Sequence, residues 1–297
     1  MRASSSSSSS SLAALLALAL LTAGCGDEQL PLVSPDAPCA GGSPRAYVVS
    51  KLGFTRVDPK TKQAPGFNLD GLVSDGHDAT SCFKPDFTDA AGHKGIDNQL
   101  AVLIPDVEKI LGNAVDGLIQ GAINDGQLLI LLTLDGAAST ARAACVNLTA
   151  EVGKGRPSLD TAGAIEAYQT FDLNKAAEVS HGTRGKIEGG VLTIGPFELA
   201  IPIAIFDVKF TIHVHRALFR FTIDPDDGSI KNGLLGGGIV PQEILDGVKP
   251  GAGVSQYIPV LSIVLNQSAD LQPDADGKCQ QVSAALEFAA VEAFIRR

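Results

Sequence analysis

The chain has 297 residues, a net charge of −10 at pH 7 and 45% hydrophobic residues. The excess of acidic residues argues against nucleic acid as a partner and against attraction to anionic lipid through basic side chains. The hydrophobic content is typical of a globular chain, and the length is ample for a buried core.

Residues 1–24 predict a bacterial lipoprotein signal peptide. Arg2 and a run of serines precede an apolar stretch that begins at Leu12 and is too short to cross roughly 30 Å of hydrocarbon. This stretch ends in the sequence LTAGC, which looks like a lipobox whose cysteine is Cys25. We therefore expect cleavage before Cys25 and acylation of Cys25, which becomes the mature N-terminus, with palmitate among the attached chains. The alternative is plain secretion with loss of Cys25.

Residues 25–44 are rich in proline and glycine and predict a tether between the lipid anchor and the folded body. Gly26, rather than aspartate, follows the cysteine, so the common inner-membrane retention signal is absent at that position. The predicted location is therefore the cell envelope, most simply the outer membrane, with the body facing either the periplasm or the cell surface.

The remaining four cysteines predict two disulfide bonds. They are widely spaced and form no CxxC pair, which argues against a zinc ribbon or a thioredoxin-like motif. An even number of cysteines in an exported chain indicates disulfides, but the spacing leaves all three pairings open. The four residues are Cys39, Cys82, Cys145 and Cys279.

Residues 45–57 predict a first strand, and residues 66–98 form an unusual segment dense in aspartate and glycine. Closely spaced aspartates on glycine-rich backbone can supply the six to eight oxygen ligands that calcium prefers. The alternative is ordinary turn chemistry, in which aspartate side chains cap nearby backbone amides. The four predicted calcium ligands are Asp70, Asp75, Asp78 and Asp97.

The clearest helical periodicity covers residues 100–123, where apolar residues recur at spacings of three and four. This pattern predicts one long amphipathic helix packed on a sheet.

The rest of the chain reads mainly as strands. Apolar residues in 208–223 change from even to odd positions, which predicts a β-bulge near His215 and Arg216, because a strand cannot otherwise change its inward face. Residues 241–248 predict a short helix, and residues 257–266 and 281–295 predict closing strands, although residues 281–295 also fit a helical period near four. The expected fold is a mainly β domain spanning residues 45–297, either a β-sandwich or a strongly curved antiparallel sheet.

His213 and His215 lie at the HxH spacing of some zinc and copper sites, although two solvent-facing histidines on a strand give the same pattern. The motifs of serine hydrolases, zinc proteases, P-loop proteins and dinucleotide-binding enzymes are missing from the sequence. We therefore predict no catalytic residues.

Several short motifs together resemble a group of predicted lipoproteins from myxobacteria and related bacteria. They are the lipobox, the acidic stretch with Cys82, the sequence GIDNQL at residues 95–100, the helical segment, the sequence NGLLGGG at residues 232–238 and the C-terminal cysteine. The resemblance implies an extracytoplasmic location and a binding role, and carries no activity.

These observations predict an envelope lipoprotein with a non-enzymatic structural or binding role, stabilised by calcium, with the membrane and an envelope or extracellular molecule as partners. One alternative is a carrier of lipid or another apolar ligand, enclosed between residues 197–206 and the helix. Another is a hydrolase of envelope polymers that uses unrecognised carboxylates.

Overall fold

The computed structural model describes residues 39, 41–111, 115–205, 208–249 and 257–297. The predicted signal peptide, Cys25 and most of the tether lie outside these residues. Contacts group the chain into residues 1–31 and 32–297, and every described residue belongs to the second group.

The described part is mainly β. Its strands are β1 (Arg45–Phe54), β2 (Phe87–Thr88), β3 (Lys94–Ile96), β4 (Ile130–Asp135), β5 (Ala143–Lys154), β6 (Gln169–Leu173), β7 (Ser180–Glu188), β8 (Val191–Ile205), β9 (Val208–Ile223), β10 (Ile230–Ile239), β11 (Leu271–Pro273) and β12 (Cys279–Arg296). Its helices are α1 (Leu100–Leu111), α2 (Val115–Asn124), α3 (Pro241–Val248) and α4 (Ile258–Gln267).

Eight of the strands form a closed antiparallel sheet in the order β1-β4-β5-β7-β8-β9-β10-β12, and β12 pairs back to β1. Closure gives the strands of the ring a partner on each side and so removes the exposed edges of an open sheet. Of the two predicted architectures, the curved antiparallel sheet is the one observed. Outside the ring, β6 runs parallel to residues 293–296 of β12, and β2 pairs with β3.

Aromatic side chains fill part of the interior of the closed sheet. The Phe219 ring stacks on that of Phe197 at 5.7 Å between centroids and meets the Phe288 ring edge-on at 5.6 Å. A cavity beside them has a volume of about 20 Å³, which is room for about one water molecule. Side chains therefore pack the interior around these rings, as expected for a sheet closed by eight strands.

The closed sheet has two ends with different contents. The antiparallel registers place the β4–β5, β7–β8 and β9–β10 turns at one end, together with the first residue of β1 and the last residues of β12. We call this the turn end. At the opposite end, the helix end, β1 leads into the acidic segment and α1, and β10 leads into α3.

The prediction of a single helix over residues 100–123 is not confirmed. Helix α1 ends at Leu111 and α2 begins at Val115, and residues 112–114 lie outside the described part. Residues 257–266 are also not a strand, because α4 occupies them.

The predicted bulge in β9 is confirmed. Pairing between β9 and both of its neighbours shifts register between residues 214 and 218, and Arg216 has a left-handed backbone with φ of +53°. The extra residue lets apolar side chains on both halves of β9 face the same core.

Candidate functional site

The acidic segment is folded by main-chain pairing within it and is joined to the closed sheet by a disulfide. Phe67 forms a β-bridge with Asp97, and β2 pairs with β3 within the segment. Cys82 is bonded to Cys279, the first residue of β12. The segment therefore has a defined conformation despite its high glycine content.

Two of the four predicted calcium ligands take part in turns. The Asp75 carboxylate accepts a hydrogen bond from the His77 amide at 3.1 Å. Asp78 accepts hydrogen bonds from the hydroxyls of Ser74, Ser81 and Thr80, which lower the pKa of its carboxyl well below the usual range. For these two residues the structure shows the local hydrogen bonding that the alternative interpretation requires.

The other two predicted ligands, Asp70 and Asp97, lie together. Asp97 is 2% exposed, and its Oδ2 atom accepts hydrogen bonds from the amides of Leu69 at 2.6 Å and Asp70 at 3.3 Å. Asp70 uses Oδ1 to accept the Leu72 amide at 2.8 Å. Its Oδ2 atom is buried and has no hydrogen-bond partner in the described structure.

Two further carboxylates, which the sequence did not single out, belong to the same region. Asp86 accepts a hydrogen bond from the Ser74 amide at 2.5 Å, and its interaction with Asp97 lowers the pKa of its carboxyl against the effect of burial, which raises it. Asp270 is 3% exposed. Its carboxylate accepts hydrogen bonds from the amide of Ser283 at 2.7 Å and from the hydroxyl of Ser283 at 2.5 Å. We call Asp70, Asp86, Asp97 and Asp270 the carboxylate cluster.

Burial is the main electrostatic feature of the carboxylate cluster. Burial raises the pKa of Asp97 to about 8, and the charges of Asp70, Asp270 and Asp86 raise it further. The hydrogen bond from the Leu69 amide partly opposes this shift. Burial likewise raises the pKa of Asp270 to about 7, although hydrogen bonds from Ser283 oppose the shift. The pKa of Asp86 is also raised, first by burial. Ionising all four carboxylates together is therefore costly.

The cluster has two chemical ways of relieving this cost: keeping protons or binding a cation. None of its members forms a salt bridge within the described part of the chain. Among the described residues, no three His, Cys, Asp or Glu side chains stand in metal-coordinating geometry. Cation binding would thus require the carboxylates to move closer together.

The histidine pair of β9 is bound to glutamates. His213 Nδ1 lies 3.2 Å from Glu243 of α3 and its Nε2 lies 3.1 Å from Glu178, while His215 Nδ1 lies 2.7 Å from Glu198. Burial lowers the pKa of His213, but hydrogen bonds to Glu178 and Glu243 outweigh burial and raise the pKa overall. These ion pairs attach α3 to β9, and they also link β9 to Glu178, which precedes β7, and to Glu198 of β8.

The cysteines form the two predicted disulfides, pairing Cys39 with Cys145 and Cys82 with Cys279. Cys25, the predicted lipidation site, lies outside the described residues. Within the described ranges, no helix is long and apolar enough to cross a membrane. Comparison with protein-family models, curated proteins and solved structures found no match.

Proposed function

We propose that this protein is a lipoprotein of the cell envelope, anchored through acyl chains on Cys25, whose folded body has a structural or binding role rather than a catalytic one. The two disulfides are the observation that carries the proposal, because such bonds form and persist in oxidising compartments. The lipobox and the resemblance to predicted myxobacterial lipoproteins support the anchor.

The first disulfide marks the point at which the proposed tether joins the body. Cys39 is bonded to Cys145, the third residue of β5, at the turn end of the closed sheet. The chain from Cys25 to Cys39 extends by at most roughly 50 Å. In the proposed envelope location, preferably the outer membrane, this length sets how far the body can reach from its lipid anchor towards an envelope or extracellular partner.

Calcium binding at the carboxylate cluster is the finer part of the proposal. Two observations support it. The buried Oδ2 atom of Asp70 has no hydrogen-bond partner in the described structure, and a divalent cation would satisfy it. Asp97 and Asp270 are buried, and a cation would offset the repulsion between their ionised carboxylates. Asp86 and Asp270 replace Asp75 and Asp78 in the proposed ligand set. In this role calcium stabilises the body and takes no part in chemistry.

The two alternatives have less support. A lipid carrier needs an enclosed apolar space, and the cavity beside Leu199, Phe219 and Phe288 holds about 20 Å³. A polymer hydrolase needs carboxylates that a substrate can reach, whereas Asp97 and Asp270 are almost fully buried.

The anchor is tested by expressing the full chain and its Cys25→Ser variant in a bacterium with lipoprotein processing, in the presence of labelled palmitate. The proposal expects label and membrane fractionation for the natural chain and neither for Cys25→Ser. Cys39→Ser with Cys145→Ser is the matched control, because it changes exported cysteines and leaves the lipobox intact. Equal membrane association of Cys25→Ser would contradict the proposal.

A further inference from the structure

A cleft of about 560 Å³ opens at the turn end of the closed sheet, on the side opposite to the carboxylate cluster. Its walls come from the start of β1, the strands β4 and β5, and the end of β12 with the residue preceding β6. Its volume lies within the range of about 300 to 1,000 Å³ that is typical of small-molecule sites. The lining residues that matter below are Arg45, Thr133, Thr149, Tyr168, Phe294 and Arg297.

Two aromatic rings stand exposed in the wall of this cleft. Tyr168 is 59% exposed and Phe294 is 57% exposed, although both are large side chains. Their centroids are 6.5 Å apart and their planes are inclined by 38°. The two rings therefore present adjoining apolar faces to the solvent rather than packing into the core.

The exposed position of Tyr168 is maintained by an unusual backbone conformation. Tyr168 has a φ of +61°, a strained conformation that is rare for a bulky residue. Its amide donates a hydrogen bond to the Glu292 carbonyl at 2.6 Å, and the Glu292 carboxylate in turn pairs with Arg45. Strain of this kind, held in place by surrounding contacts, is concentrated at functional sites.

The lining of the cleft holds two arginines, Arg45 and Arg297, and two carboxylates, Asp135 and Glu292. Arg45 is paired with Glu292, and Arg297 is paired with Glu151 at 3.0 Å. Thr133 and Thr149 add hydroxyl groups to the lining. The cleft thus offers many hydrogen-bonding groups whose charges largely cancel, which favours a neutral polar ligand over an ionic one.

We propose that this cleft binds a neutral glycan. A sugar ring has an apolar face, which would stack on Tyr168 or Phe294, and hydroxyls, which would bind the threonines and arginines. The inference rests on the proposed envelope location only for the source of the glycan, either the cell-wall glycan strand or the polysaccharide of the outer membrane. The sequence has no tryptophan and three tyrosines, but two rings at one cleft are sufficient to stack on a sugar.

The test uses titration calorimetry on the full Cys25→Ser chain, so that the outcome does not depend on acylation. The probes are an N-acetylglucosamine tetrasaccharide and a lipid-free neutral polysaccharide from an outer membrane, and a short apolar peptide serves for comparison. Binding of either saccharide supports the proposal and identifies the source. Binding of neither saccharide, or of the peptide alone, overturns it.

Two variants locate the site. Phe294→Ala and Tyr168→Asn are each expected to weaken saccharide binding about tenfold, and both should fold because the rings are exposed and asparagine tolerates positive φ. Phe83→Asn is the matched control, since Phe83 is also exposed (63%) and also has a positive φ (+60°), but lies in the acidic segment. An equal loss of affinity in Phe83→Asn would show that the saccharide does not bind in the cleft.

Discussion

Cys82 is bonded to Cys279, with Cα atoms 5.9 Å apart, across 197 positions of the sequence. This bond attaches the acidic segment to the start of β12, four residues before Ser283. Ser283 in turn donates two hydrogen bonds to Asp270 and accepts the Gln99 amide at 2.7 Å. The disulfide therefore borders the place where Asp86 and Asp97 meet Asp270.

Replacing Cys82 and Cys279 by serine together should lower the free energy of unfolding by about 5 kcal/mol, because the bond restricts a very long loop in the unfolded chain. Urea unfolding of the exported protein measures the change. Replacing Cys39 and Cys145 is the matched control and should cost nearly as much, because the entropy depends only weakly on loop length. A loss below about 1 kcal/mol for the first pair would show that the acidic segment is held by other contacts.

The carboxylate cluster makes stability depend on pH. Burial raises the pKa of Asp97 to about 8. The folded chain therefore holds this proton more tightly than the unfolded chain, whose aspartates have a pKa near 3.9. Without divalent cations, the free energy of unfolding should fall as the pH rises from about 4 to about 8, by on the order of 4 kcal/mol.

Asp97→Asn should remove the part of this dependence that Asp97 contributes, leave the part that comes from Asp270, and stabilise the protein at pH 8, because the amide has the shape of the protonated carboxyl and cannot ionise. Thermal unfolding in chelator between pH 5 and pH 9 measures both effects. Asp75→Asn is the control and should keep the slope of the natural chain. An unchanged slope in Asp97→Asn would contradict the proposed burial of a proton at this site.

Calcium should reverse the loss of stability at pH 8 by replacing the protons of the cluster. At a concentration 100 times its dissociation constant, it should add about 2.7 kcal/mol to the free energy of unfolding. Asp70→Asn should abolish this gain, whereas Asp75→Asn should keep it. Native mass spectrometry before and after EDTA supplies the second measurement, and a calcium adduct that persists in Asp70→Asn would place the cation elsewhere.

His213 should make the attachment of α3 sensitive to pH. Its pKa is lowered by burial but raised overall by hydrogen bonds to Glu178 and Glu243. The stabilisation is complete below the unfolded pKa of about 6.5 and is lost as the pH rises through the folded value. Glu243→Gln should lower the pKa of His213, as measured by NMR of the imidazole, whereas Glu198→Gln, which affects His215, should leave it unchanged. Equal shifts in the two variants would contradict this assignment.

Arg216 marks the point at which β9 changes its inward face, and its φ is +53°. Arg216→Val should lower the free energy of unfolding by about 1–2 kcal/mol, because a β-branched residue fits this conformation poorly. Arg216→Gly should be neutral or stabilising, because glycine adopts positive φ freely. Chemical denaturation distinguishes the two variants, and similar losses in both would show that the side chain of Arg216, rather than its backbone, matters.

Local sequence patterns predicted several elements well. The change from even to odd apolar positions around Arg216 placed the bulge, because the alternation of a strand is a property of neighbouring residues. Pro241 and its neighbours predicted α3 with the correct bounds. In contrast, the apolar, β-branched residues of α4 satisfied the pattern of a buried strand, so the sequence predicted a strand there. They form a helix, which packs beside α3 and β12.

The acidic segment shows where sequence reasoning reached its limit. It located an aspartate-rich region and selected Asp70 and Asp97, both of which belong to the carboxylate cluster. It also selected Asp75 and Asp78, which cap local turns, and it omitted Asp86 and Asp270. Spacing along the chain cannot separate a turn aspartate from a buried one, because burial depends on which distant residues cover the side chain.

The sequence by itself determined the class of the fold, the bulge in β9, the presence of two disulfides and the expectation of an exported, lipid-anchored chain. These properties follow from alternation, cysteine number and short motifs. Tertiary structure alone decided that the sheet closes, which cysteines pair, and which carboxylates meet. The physical reason is that closure and the carboxylate cluster depend on contacts between residues such as Asp97 and Asp270, which local propensities do not encode and which form only when the whole chain packs.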